Sequence, residues 1–382
     1  MTGTSENPLK ALINFGQSVW LDYIRRDLIS TGQLQKLIDN DGLRGMTSNP
    51  TIFEKAIAGS PDYKADVDEL GKRKDLDAKG IYEHIAIKDI QMAADVMRSV
   101  YDKTNHRDGY VSLEVSPYLA HNTAETIAEA QRLWKAVNRP NLMVKVPGTS
   151  EGIPAINQLI GEGININVTL LFAQDVYERV AEAYISGLEA LAKSGGDVST
   201  VASVASFFVS RIDTLIDKKL DELEKADPSK KDSFSKIRAQ VAIANAKLTY
   251  QAYKKIFSGP RWEKLASKGA QTQRVLWAST STKDPKLSDV YYVEALIGKD
   301  TVDTIPPATL DAFRDHGKPR ASLEENVAGA QEVMDALAKS GVSMKAVTSQ
   351  LTEDGAKLFQ EAFDKLLGAV KQQVPQAAGG AK

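Results

Sequence analysis

The chain has 382 residues, 42% of them hydrophobic and 26% charged, with a formal net charge of −2. That balance is typical of a globular protein with a sizeable core, and it excludes the basic excess of a nucleic-acid binder. The chain has no cysteine, which excludes disulfides, thiol nucleophiles and thiolate metal sites, and no apolar run reaches the roughly 18 residues of a membrane helix.

In chain order, Leu9 to Phe15 reads as a short helix and Ser18 to Asp22 as a strand, with Val19 and Leu21 on one face. Helical spacing covers Ile24 to Ile38. A second strand, Gly42 to Asn49, ends in polar residues before Pro50, which cannot continue a central strand. Thr51–Ala58, Asp62–Leu70 and Ile81–Val100 are expected helices. Tyr110 to Val115 alternates apolar and polar, and a helix follows from Thr123 to Val137. Leu142 to Val146 is apolar but for Lys145, and a helix runs from about Ser150 to Ile160 after the Pro147-Gly148 turn. Gly163 to Thr169 alternates again, with Asn165, Asn167 and Thr169 sharing a face, and Ala173–Ala192 is helical.

Thr200 to Ser206 is the sixth strand and leads into Phe207–Arg211. Ile212–Leu223 is helical, Lys225–Lys236 reads as an exposed loop, and Ile237–Phe257 as a long helix. Arg274–Ala278 is a strand ending at Ser279, Asp289–Ile297 a helix, and Thr301–Ile305 a strand stopped by Pro306-Pro307. Ser322 with Glu325 has the form of a capping box opening a helix to about Ser340, and Met344–Val370 is a second amphipathic region. Residues 1–372 are expected to form a single domain, with about 318–372 as C-terminal helices and 373–382 as a disordered tail.

Eight strands alternating with helices call for a parallel sheet with crossover connections. The expected fold is α/β, a single (β/α)8 TIM barrel with extra helices, whose sites lie at the C-terminal ends of the strands. An open doubly wound sheet is the other arrangement. It usually carries a glycine-rich phosphate loop after its first strand, and no such pattern occurs.

Lys145 stands out, because an unpaired charge is costly to bury in a strand. Burial favours the neutral form of a lysine, and a neutral amine can form a Schiff base with a carbonyl. The plain alternative is a lysine snorkelling out at the strand end. Polar groups also stand at or near the ends of seven strands: Asp22, Asn49, Glu114, Lys145, Asn167 with Thr169, Ser206 with Arg211, and Ser279. Imine chemistry needs a proton donor and acceptor other than the nucleophile, hydrogen bonds for substrate hydroxyls, and a cation for any phosphate. His84, His106, His121 and His316 lack metal-ligand spacing, so neither metal nor cofactor is expected. Met1 to Lys10 is polar and lacks a signal core. A cytoplasmic location is the default, with no membrane or nucleic-acid partner.

Trp20-Leu-Asp22, Thr47-Ser-Asn-Pro50, Val111-Ser-Leu-Glu114, Val144-Lys-Val-Pro147, Ile166-Asn-Val-Thr-Leu-Leu-Phe172 and Ser206-Phe-Phe-Val-Ser-Arg211 together resemble the transaldolase family. Ala278-Ser-Thr-Ser-Thr-Lys283 is similar to that family's later phosphate-side segment. The resemblance runs in order over most of the chain, from about 14 to 315. It implies Lys145 as the Schiff-base lysine and Glu114 as an acid/base acting through an ordered water. Asp22 would exchange a proton with the substrate hydroxyl, Asn49 and Asn167 would hold the dihydroxyacetone unit, and Thr169 would orient the water. Ser206 and Ser279 would contact substrate, Phe208 would pack at the mouth, and Arg211 would bind phosphate. The implied substrates are sugar phosphates, taken up by a monomer or homodimer.

Three departures point to the longer bacterial members of the family. Ser281 stands where a second phosphate arginine is expected, leaving Lys283 as the nearest cation. The connection from Asp213 to Gln273 is long, and so is the region after Gly317. Two other functions stay open on the residues: a related Schiff-base aldolase that releases free dihydroxyacetone, and a non-catalytic sugar-phosphate-binding barrel. The aldolase would share Lys145, though the resemblance implies glutamine at position 114 in such aldolases, so Glu114 favours the transferase. A mere binder would not need Asp22, Glu114 and Lys145 together.

Overall fold

A computed structural model describes residues 7–374. Its centre is a closed barrel of eight parallel strands in sequential order. They are β1 (Gln17–Asp22), β2 (Gly45–Thr47), β3 (Tyr110–Glu114), β4 (Leu142–Pro147), β5 (Ile166–Leu171), β6 (Ser203–Phe208), β7 (Arg274–Ala278) and β8 (Thr301–Ile305). The β1–β8 pairing closes the ring, from Gln17 opposite Thr301 to Leu21 opposite Ile305. The open doubly wound sheet is thereby ruled out.

Apolar residues dominate β3 to β6 because helices cover the outer face while the inner face fills the barrel. Trp20 occupies the lower interior opposite Gly45, where an added Cβ would lie 2.4 Å from the indole ring. Below it, Arg274 donates to Asp108 at 2.8 Å and to the Ser18 hydroxyl at 2.8 Å, and Ser18 donates in turn to Asp108 at 2.8 Å. Trp20 Nε1 donates to the same carboxylate. This enclosed, fully hydrogen-bonded ion pair plugs the N-terminal end; losing one partner of such a pair typically costs about 3–5 kcal/mol. The sites of such barrels lie at the opposite, C-terminal end.

Several element boundaries differ from the sequence reading, each for a local reason. The run from Ile24 to Ile38 is two helices, Arg26–Ser30 and Gln33–Asp41, because Gly32 at φ 76° breaks the first and starts the second. The second strand is only Gly45–Thr47; Asn49 caps the helix Pro50–Ala58 by accepting from Ile52 N at 3.0 Å. The expected loop at Lys225–Lys236 carries the end of helix Ser210–Ala226, a 3₁₀ turn and a short helix, Lys231–Ser235, pinned by buried Phe234. The next helix starts at Val241, where the Asp213 carboxylate accepts from Ala242 N at 2.8 Å. The segment near Asp289 is helical only over Tyr291–Ala295.

Ser322 does not cap a helix. Its hydroxyl accepts from Ile297 N at 3.1 Å, and the helix Val327–Ser340 is capped by Asn326 instead. Two unforeseen helices, Pro260–Ala266 and Pro307–His316, both open on proline, whose fixed φ suits a first turn. The last helix, Met344–Gln373, runs past Val370. Gln373 is therefore helical rather than part of a tail, and 375–382 lie outside the described residues. That helix packs on Pro50–Ala58, on Ala78–Lys103, on Ser210–Ala226 and on β5, across the C-terminal end of the barrel.

Candidate active site

Parallel register brings the central pair together. Glu114 on β3 lies opposite Lys145 on β4, which lies opposite Asn167 on β5. In-register neighbours on parallel strands point to the same face, so all three side chains enter the barrel. Lys145 Nζ stands 3.6 Å from a Glu114 oxygen and donates to the Ser48 carbonyl at 3.2 Å. Lys145 is 4% exposed and Glu114 8%, so this is a buried ion pair and not a lysine snorkelling to solvent.

Burial pushes the Glu114 carboxyl up to about 7, against the pull of Lys145, and the nearby Asp22 raises it further. Asp22 itself is raised, chiefly by burial, with Lys145, the Thr47 hydroxyl and Arg211 acting in the opposite sense. Thr47 holds Asp22 by donating to its Oδ1 at 2.7 Å. Glu114, raised to about 7, can exchange protons beside the amine at ordinary pH, and Asp22 is a second carboxyl raised in the same direction.

Across the barrel, Ser206 donates to Asn167 Oδ1 at 2.7 Å, and Asn167 Nδ2 donates to the Ser112 hydroxyl at 3.0 Å. This chain fixes the amide of Asn167. The Thr169 hydroxyl and both Glu114 carboxylate oxygens are buried without a hydrogen-bond partner among the described residues. Buried polar atoms of this kind are satisfied by water or ligand. A cavity of about 10 Å³ opens on Glu114 between Tyr82, Leu113, Ser116 and Phe363, on the scale of one water molecule.

Phe208 ends β6, its ring 5.2 Å from that of Phe172 and 5.3 Å from the Arg211 guanidinium. Arg211 makes no hydrogen bond or ion pair with another described side chain, and burial lowers its pKa while Asp22 opposes this. Ser279, at φ 57°, shares a 2.9 Å hydrogen bond with Ser210 at the start of the same helix. Asn49 is engaged as a helix cap through its oxygen. Lys283 is the outlier: it is exposed on the loop after β7 and donates to Ser281 at 3.2 Å.

Residues that the sequence reading passed over also enter. Thr47, Ser48 and Ser112 all lie inside the short motifs, and alternation already places Ser112 beside Glu114 on one face. Phe359 could not have been picked out, because only the fold brings the last helix to within 6.0 Å of Lys145. Among the described residues no cluster of acidic and histidine side chains could hold a metal, and no helix is long and apolar enough to cross a membrane.

A parallel eight-stranded barrel with an enclosed amine and two raised carboxyls at its mouth is equipped for the carbonyl chemistry of a barrel enzyme. Comparison with known proteins narrows the class. The family model described as Transaldolase/Fructose-6-phosphate aldolase matches residues 19–370. A transaldolase of Trichodesmium erythraeum is 47% identical over 372 residues, covering 96% of this chain and 98% of the relative. Transaldolase 2 of Nostoc punctiforme is 46% identical over 380 residues, with 97% and 98% covered. A transaldolase of Frankia alni is 46% identical over 369 residues, with 96% and 98% covered. The chain belongs to the transaldolase/fructose-6-phosphate aldolase family.

Proposed function

We propose that this enzyme transfers a dihydroxyacetone unit from sedoheptulose 7-phosphate to glyceraldehyde 3-phosphate, giving erythrose 4-phosphate and fructose 6-phosphate. The pathway is the non-oxidative branch of pentose phosphate metabolism. The observation that carries the reading is the buried Lys145–Glu114 pair, 3.6 Å apart on adjacent strands.

Lys145 attacks the ketose carbonyl as a free amine. Glu114, working through a water that Thr169 orients, moves protons as the carbinolamine loses water to the iminium. Asp22 removes the proton of the C4 hydroxyl. The C3–C4 bond breaks, its electron pair passing into the enamine on Lys145, and the aldose phosphate leaves. The acceptor aldehyde enters, the enamine carbon attacks it, and Asp22 returns the proton to the new alkoxide. Water then releases the product ketose. Asn49, Asn167, Ser206 and Ser279 hold the sugar hydroxyls, Phe208 walls the mouth, and Arg211 binds the phosphate with Lys283 as a second cation. A cytoplasmic setting accords with a chain that contains no cysteine. Family membership also covers the aldolase that releases free dihydroxyacetone, but Glu114 and the names of the relatives favour transfer.

Trapping tests the reading. Incubation with fructose 6-phosphate and borohydride should leave one reduced adduct, on the peptide holding Lys145, and product transfer should require an aldose phosphate acceptor. An adduct on another lysine with Lys145 unmodified overturns the assignment.

A further inference from the structure

We propose that Phe359 shields the covalent three-carbon intermediate from water and so sets the ratio of group transfer to premature release. The proposal rests on Lys145 being the imine-forming lysine. It assigns a function to the C-terminal helix, whose Phe359 lies more than two hundred residues from that lysine in the chain.

The helix Met344–Gln373 presents Leu351, Gly355, Phe359 and Phe363 at four-residue spacing, so they form one buried stripe. Gly355 faces Leu170 and Arg211. A Cβ there would stand 2.8 Å from a Leu170 methyl carbon and 3.9 Å from the Arg211 guanidinium. Leu170 follows Thr169 directly, at φ 60°, within the register shift between Val168 and Leu171. A leucine in this left-handed conformation is strained and persists only where its surroundings hold it. The glycine therefore lets the helix press on the bulge that follows Thr169.

One turn further on, the Phe359 ring centroid lies 6.0 Å from Lys145 Nζ, and the residue is 5% exposed. The stripe continues to Phe363, which packs edge-on against Tyr82 at 5.7 Å. The Lys145 amine thus has the Glu114 carboxylate and the Ser48 carbonyl as polar neighbours and the Phe359 ring as an apolar one. A phenyl ring neither donates nor accepts a proton, and its face favours a cation such as the iminium.

Premature release needs water at the intermediate. The enamine carbon takes a proton, its C=C electron pair forming the new C–H bond, and an iminium results. Water adds to the iminium carbon and gives up a proton. The C–N bond then breaks, its electron pair moving to Nζ, which gains a proton as the carbinolamine hydroxyl loses one and its oxygen closes the new carbonyl. In sum, enamine plus one water gives the free amine and dihydroxyacetone. The nucleophilic carbon is two bonds from Nζ, so a ring whose centroid lies 6.0 Å from Nζ is within reach of it. Apolar cover of this kind suppresses side hydrolysis of reactive intermediates.

The test compares wild type with Phe359→Ala, Phe359→Leu and Phe359→Tyr. Two rates are measured with fructose 6-phosphate: dihydroxyacetone release without acceptor, and transfer to erythrose 4-phosphate. The release-to-transfer ratio should rise roughly tenfold in Phe359→Ala as the site opens to water, and less in Phe359→Leu, which keeps apolar cover. Phe359→Tyr should stay within about twofold, since the ring is kept. If the alanine variant does not fold, the leucine variant decides. A merely structural role would lower both rates together and leave the ratio unchanged. That result, with borohydride still labelling Lys145 in every variant, overturns the proposal. Failure to label Lys145 in wild type overturns instead the imine assignment on which the proposal rests.

Discussion

Glu114→Gln is the substitution that separates a working acid/base from a structural ion-pair partner. Glu114 titrates at about 7 instead of 4.5, and it faces Lys145 at 3.6 Å. The displacement represents about 3 kcal/mol of altered proton affinity, at ~1.4 kcal/mol per pH unit. Near neutral pH about half the molecules carry the carboxylate, and half the acid. Drawing a proton from the carbinolamine requires the carboxylate, so kcat/KM of the wild type should fall roughly tenfold per pH unit below about 7. Glutamine is nearly isosteric but cannot exchange a proton. The variant should lose about 10²–10⁴ in turnover, or about 3–5 kcal/mol of transition-state stabilisation, and should lose that acid limb. The assay is transfer from fructose 6-phosphate to erythrose 4-phosphate between about pH 5.5 and 8.5, with borohydride trapping at Lys145 as the check that the variant still folds. A glutamine variant with wild-type turnover and an unchanged acid limb would refute the assignment.

Two further outcomes are expected. Arg211→Ala should weaken use of phosphorylated substrates far more than use of free dihydroxyacetone or glyceraldehyde, and Lys283→Ala should do the same to a smaller extent, since Lys283 is exposed; equal loss on both substrate types, measured by kcat/KM, removes the residue from phosphate binding. Asp303, fully buried on β8 with Thr280 as its hydrogen-bond donor, is pushed by burial from 3.8 to about 8. Its folded pKa is raised, so the stability it confers is complete below 3.8 and is lost as pH rises to about 8. Relative to wild type, Asp303→Asn should therefore gain stability between pH 5 and 8, by up to about 4 kcal/mol. Urea unfolding at several pH values measures this, and parallel loss in both proteins would exclude Asp303 as the cause.

The order of elements and the chemistry of the strand ends were legible in the sequence, because both are local. Period-two alternation in Tyr110–Val115 and Gly163–Thr169 marked strands and already put Asn167 and Thr169 on one face. A charged residue within Leu142–Val146 marked Lys145, because apolar strands rarely hold one. Boundaries were less legible wherever a side chain served a distant partner. Ser322 looks like a cap but binds Ile297, and Asp213, on the helix Ser210–Ala226, caps a different helix that starts at Val241.

Only the tertiary structure decided which groups meet. Closure of β1 on β8 turns eight separate strand ends into one mouth, and the β3–β4 register, not any motif, sets Glu114 beside Lys145. The pKa of Glu114 follows from its burial, which no linear pattern specifies. The amphipathic stripe of the last helix said that one face would be buried, but not against what. That depended on the helix crossing the barrel mouth, where Gly355 admits it to Leu170 and Phe359 reaches Lys145. Local patterns are set by a residue's own neighbours in the chain. Contacts between residues two hundred positions apart exist only once the core has formed, and the core forms from the sum of many weak contacts that no single stretch encodes.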